Sequence, residues 1–128
     1  MDEIDLYVPE TIVESLPADS EDTVADMQRA VEGFETTINE AVRTAEGDGE
    51  AAEAIVDAIE RMEARAERYD EFVPELRAWG QSPIYAIAWR NLYVSLIRQL
   101  YDRDDVAELI DRERNLRLVA DGIRKRKR

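Results

Sequence analysis

Residues 21–46 read EDTVADMQRAVEGFETTINEAVRTAE, and this stretch decides the fold. Apolar residues recur at Val24, Met27, Val31, Phe34, Ile38, Ala41 and Ala45, stepping alternately three and four positions. That alternation is a heptad seam, the mark of a helix that packs lengthwise on another helix. Ser20 stands where an N-cap belongs, and Glu21, Asp22 and Asp26 lie at the end that the helix dipole favours for acids. A helix over 21–46 would be roughly 40 Å long at 1.5 Å per residue. Gly33 lies inside it and weakens it by about 1 kcal/mol relative to Ala.

Gly47-Asp48-Gly49 reads as a turn, and the same period resumes beyond it. Ala52, Ile55, Ile59, Met62, Ala66, Tyr69 and Val73 form a second three–four seam. Two helices of matched period across a short turn make a long antiparallel hairpin over residues 21–73. Its seam is thin and Ala-rich, so a second layer must cover it. Pro74 is expected to break or kink the chain, with a short helical turn after it that Gly80 closes.

The covering layer follows. Ser82-Pro83 reads as an N-cap followed by a first helical position, and opens a helix over 83–102. Ile84, Ala88, Leu92, Leu96 and Leu100 form one row of it. Tyr85, Trp89, Tyr93, Ile97 and Tyr101 form the next row. A helix apolar around most of its circumference is buried on several sides. Arg90 and Arg98 lie within the span, which makes a core helix the better reading than a membrane crossing. A last helix over 105–123, capped by Asp104-Asp105, carries Val106, Leu109, Ile110, Leu116, Val119, Ala120 and Ile123. The fold class is therefore all-α, a four-helix-bundle-like arrangement in one domain of residues 20–123. An N-terminal extension with a short helix (1–19) precedes it, and a basic tail (124–128) follows.

Composition sets the environment. Thirty Asp and Glu stand against seventeen basic residues, of which only two are Lys, and the chain has no Cys and no His. Residues 1–80 hold 23 acids and 6 bases, a net −17, while residues 81–128 hold 7 acids and 11 bases, a net +4. This composition resembles that of cytoplasmic proteins of extreme halophiles or of their viruses, which implies a high-salt cytoplasm or a virion. The acidic opening Met1-Asp-Glu-Ile-Asp does not read as a signal peptide.

Three constellations bear on function. The acids Glu50, Glu53, Asp57, Glu60, Glu63 and Glu67 lie off the second seam. They read as a solvated face or, in a competing reading, as the magnesium ligands of a carboxylate hydrolase. Without His or Cys, a di-iron Glu-x-x-His set and His- or Cys-based triads are excluded. No Gly-rich phosphate loop exists either. Tyr85, Trp89, Tyr93 and Tyr101 share one helix row and fit a core, a partner interface or a stacking platform. Trp89 is expected in a fully buried contact, in the core or between subunits. Arg124, Lys125, Arg126, Lys127 and Arg128 are five consecutive cations. They fit a dipole-balancing helix end, a docking tail for protein, or a phosphate binder whose grip fails in molar salt.

The reading these observations favour is a non-enzymatic helical assembly or adaptor protein without catalytic residues, cofactor or metal. Its partner is a protein or a second copy, as in an oligomeric connector of a larger particle such as a virus head–tail junction. The alternative is a nucleic-acid-associated regulator that uses Arg112, Arg114, Arg117 and the tail. Crowded carboxylates repel over a Debye length of about 10 Å at 0.1 M salt but only about 3 Å at 1 M. The thermal midpoint followed by circular dichroism should therefore rise from dilute to molar KCl, and an unchanged or falling midpoint contradicts the high-salt reading.

Overall fold

The computed structural model describes the backbone of residues 1–126 and the side chains of residues 1–123. Within them the chain is 80% helical. It forms α1 (Glu10–Ser15), α2 (Glu21–Thr44), α3 (Asp48–Ala78), α4 (Ile84–Tyr101) and α5 (Asp104–Arg126). No helix of these residues is long and apolar enough to cross a membrane.

Both seams face inward. Met27, Val31, Phe34 and Ile38 of α2 are buried, as are Ala52, Ile55, Ile59, Met62, Ala66 and Val73 of α3. Helix α4 provides the centre. Its Leu row is sealed, with Leu92, Leu96 and Leu100 at 0% exposure. It touches all four other helices, and its contact with α3 is the most extensive between any two elements. Burying a Leu side chain contributes about 1.5–3 kcal/mol, so this row alone outweighs any single cap or ion pair in the structure.

Several local expectations are corrected. Pro74 does not end the second helix, because α3 runs unbroken from Asp48 to Ala78. The proline costs about 3 kcal/mol through its missing N–H and its ring. Packing of α3 along α4, with Val73 buried just before the proline, offsets that cost. The stop comes at Gly80, whose φ of 73° is the left-handed conformation that ends helices. There the Gln81 N–H donates to the Leu76 carbonyl at 2.8 Å and the Gly80 N–H to that of Arg77 at 3.1 Å. Pro83 is the N-cap of α4 and not its first residue.

Ser20 holds the N-cap position of α2 but makes no capping bond. Its hydroxyl donates instead to the Pro17 carbonyl at 2.6 Å. Helix α5 begins at Asp104, so the residue before it is Arg103. The Arg103 guanidinium grips the Asp105 carboxylate at 2.9 Å and holds that acid below its ordinary range. Finally, α5 buries only its first half. Val106 and Ile110 are fully covered, whereas Leu116, Val119 and Ile123 are 58%, 61% and 49% exposed.

The N-terminal segment is the element least legible in sequence, and it packs into the same core through Ile4, Leu6, Ile12 and Leu16. Residues 1–9 run extended between α2 and α4, and side chains take the place of a neighbouring strand. The Asn39 amide accepts from the Ile4 N–H at 2.7 Å and donates to the Ile4 carbonyl at 2.8 Å. Gln99 does the same for Tyr7, with both bonds at 3.0 Å. The Glu35 carboxylate accepts from the Leu6 N–H at 2.7 Å, and Arg103 donates to the carbonyls of Asp2 and Glu3. A partly buried backbone group left without a partner costs ~1–3 kcal/mol. Asn39→Ala strands two such groups, so the variant's urea midpoint should fall by an equivalent amount at unchanged slope. A midpoint within error of the parent would show that the segment is not held this way.

Candidate functional site

Where α2, α3 and α4 meet, five aromatic rings join into one cluster. Phe34 of α2 meets Tyr93 of α4 edge-on, with centroids 6.1 Å apart. Tyr93 stacks on Trp89 at 6.0 Å and on Tyr69 of α3 at 6.2 Å. Tyr69 also stacks on Trp89 at 5.9 Å, nearly parallel, and meets Phe72 at 6.4 Å. The helices explain the assembly: Trp89 and Tyr93 are one turn apart on α4, and Tyr69 and Phe72 are one turn apart on α3. The cluster grades from inside to outside. Tyr93 is buried, Tyr69 and Trp89 are half-buried, and Phe72 is 39% exposed.

Three arginines of α3 lie over these rings. Arg65 sits 5.1 Å from the Phe34 centroid and 5.8 Å from that of Tyr93, and it donates to the Tyr93 hydroxyl at 3.3 Å. Arg61 lies over Phe34 at 5.9 Å and Arg68 over Phe72 at 6.0 Å. Among the described residues none of the three is within ion-pair distance of a carboxylate. Beside them a groove of about 310 Å³ opens between Ala30, Gly33, Thr37, Phe34, Arg61 and Arg65. Guanidinium groups over aromatic faces contribute about 0.5–1 kcal/mol at exposed sites and more when water is displaced.

Of the four aromatic residues expected at a partner interface, the structure brings together Trp89 and Tyr93. Trp89 is half-buried within the chain. Tyr85 is 41% exposed and makes no ring contact with the cluster. Its hydroxyl lies 3.2 Å from the Ser20 hydroxyl, whose proton already serves Pro17, so Tyr85 is the donor. Tyr101 is half-buried against the core at the far end of α4. Phe34, Tyr69, Phe72 and the three arginines did not stand out in sequence. The spacing of Arg61, Arg65 and Arg68 by four and three was the available signal, since it lines one face of a helix otherwise rich in acid.

The acids of α3 are exposed, and several are turned toward α5. Arg117 bridges Asp57 and Glu60, each at 2.9 Å, and Arg114 reaches Glu63 at 2.6 Å. The carboxylates of Asp57 and Glu60 raise the pKa of Arg117 further. Glu113 is 15% exposed on its side chain and has one carboxylate oxygen 3.8 Å from Arg117, a charge contact without a hydrogen bond. Among the described residues no group of three or more acids is placed to hold a metal ion. Arg114 and Arg117, two of the arginines assigned to nucleic acid in the alternative reading, are thus occupied within the chain. The side chains of Arg124, Lys125, Arg126, Lys127 and Arg128 lie outside the described residues.

The profile of a family of unknown function, DUF7971, matches residues 1–127. The chain belongs to this family. The match takes in the extended N-terminal segment, the bundle and the basic end together. No curated protein and no solved structure matches the chain.

Tyr69 gives the cluster a titration signature. Burial raises its pKa above the ordinary 10.0, the neighbouring Tyr93 adds to the rise, and Arg65 and Arg68 oppose it. A phenol whose folded pKa is raised stabilises the fold fully below its unfolded pKa. That contribution is lost as pH climbs through the folded value. Alkaline titration by tyrosinate absorbance should show a late-ionising component that Tyr69→Phe removes. A component unchanged in the variant would assign the shift elsewhere.

Proposed function

We propose that the protein is a non-enzymatic helical assembly or adaptor protein that docks a protein partner on the aromatic–arginine cluster. The observation that carries this reading is the composition and grading of the cluster. Trp, Tyr, Phe and Arg are the side chains enriched at the centres of protein interfaces, where a few anchors supply most of the binding energy. Here they lie on a rigid three-helix platform, with their inner rings fixed by packing and Phe72, Trp89 and the guanidinium groups reaching the surface. Stacked arginines suit a high-salt medium, because contact with a ring face persists when long-range charge attraction is screened. A high-salt cytoplasm or a virion is the setting that the acidic composition favours, and a connector within a larger particle is a role of this kind.

The test uses the chain in its native high-salt extract and again after purification. Hydroxyl-radical footprinting should find Phe72 and Trp89 protected in the extract and reactive in the purified chain. Trp79, 71% exposed, serves as the internal reference. Phe72→Ala should weaken partner binding by ~2 kcal/mol, about 30-fold, while the thermal midpoint stays near the parent's. Nuclease treatment should leave the high-mass fraction intact. Collapse of that fraction under nuclease would favour the nucleic-acid reading, and equal reactivity of Phe72 and Trp89 in both samples would overturn the docking surface.

A further inference from the structure

The outer face of α5 carries a seam that no other element covers among the described residues. Leu109, Arg112, Leu116, Val119 and Ile123 follow the three–four spacing of a helix that packs lengthwise on another. Leu109 lies at the edge of the core, while Leu116, Val119 and Ile123 are exposed on the side away from Val106 and Ile110. The charge on the same helix is divided. Residues 104–113 hold Asp104, Asp105, Glu108, Asp111 and Glu113 against one Arg, and residues 114–128 hold seven bases against one Asp. A helix acidic at one end and basic at the other complements a copy of itself laid head to tail and opposes a copy laid in parallel.

We propose that two copies of the chain pair through the outer faces of α5, antiparallel, about a two-fold axis at Leu116. The pairing is isologous, so one surface serves both partners. With the axis at Leu116, Leu116 of one copy meets its equivalent and Leu109 meets Ile123. In this register the basic half of the α5 sequence in one copy runs against the acidic half in the other, which holds Asp104, Asp105 and Glu108. The register uses the apolar seam and the divided charge together. A shift that centred the pair on Val119 would instead move the acidic half of the sequence out of register with the basic half. This surface is separate from the aromatic cluster, so either can fail without the other.

The chain has no Cys, which makes single-cysteine variants of the full chain clean probes of register. In molar KCl, sedimentation equilibrium should give twice the chain mass. Leu116→Asp should halve that mass with helicity retained, because Leu116 is exposed and leaves no hole. Leu116→Cys alone should form a disulfide-linked pair on mild oxidation. Ile123→Cys should not link to itself but should link to Leu109→Cys when the two variants are mixed. Trp89→Ala should leave the doubled mass unchanged. A single-chain mass for the parent overturns the proposal. A doubled mass that survives Leu116→Asp overturns it equally. So does self-linking of both Leu116→Cys and Ile123→Cys, which a parallel pair requires.

Discussion

The structure depends on the burial of α4. A helix apolar around most of its circumference cannot rest on a surface, so it draws other elements to each of its sides. Leu92, Leu96 and Leu100 are fully enclosed, and every other helix touches α4. The two heptad helices do not close on one another as an isolated hairpin would. They are held at the spacing α4 requires, and α3 packs more extensively on α4 than on α2. The gap this leaves between α2 and α4 admits the extended N-terminal segment, and the junction of α2, α3 and α4 holds the aromatic cluster. Both features follow from the same large apolar helix.

The periodic parts of this architecture were legible in the sequence. The seams of α2 and α3 and the apolar rows of α4 appear where spacing places them. Local signals failed where tertiary packing opposed them. Pro74 is a sound helix breaker in isolation, yet α3 continues past it because it lies along α4. Ser20 is a sound N-cap, yet its hydroxyl serves Pro17. The N-terminal segment was illegible because its partners are the side chains of Asn39 and Gln99, and an amide that mimics a strand leaves no periodicity. At the candidate site, Trp89 and Tyr93 were visible as an aromatic row. Their ring partners Phe34 and Tyr69 were hidden among seam positions, where an aromatic reads as core filling.

The outward reading of the α3 acids was correct in direction and incomplete in partner. Asp57, Glu60 and Glu63 are exposed, and they meet Arg117 and Arg114 across the α3–α5 groove. Exposed pairs of this kind contribute little individually, about 0–1 kcal/mol. Their effect here is directional, because they hold the middle of α5 against α3 by its charged face. The helix is thereby oriented so that Leu116, Val119 and Ile123 point outward. The preference of Arg over Lys suits this arrangement, since one guanidinium can serve two carboxylates at once, as Arg117 does.

The amide clamps on the N-terminal segment also bear on the order in which the chain becomes native. Ile4 is fastened by Asn39, Tyr7 by Gln99, and the carbonyls of Asp2 and Glu3 by Arg103, separations of 35 to 101 residues. Such distant contacts carry the largest loop-closure cost and form late. On the ribosome the first residues emerge long before the residues that will hold them. The opening segment, with Ile4 and Leu6 uncovered, must wait until most of the chain has been made. Its acidic residues Asp2, Glu3 and Asp5 then have a use during synthesis, keeping an apolar segment soluble until α4 arrives to receive it.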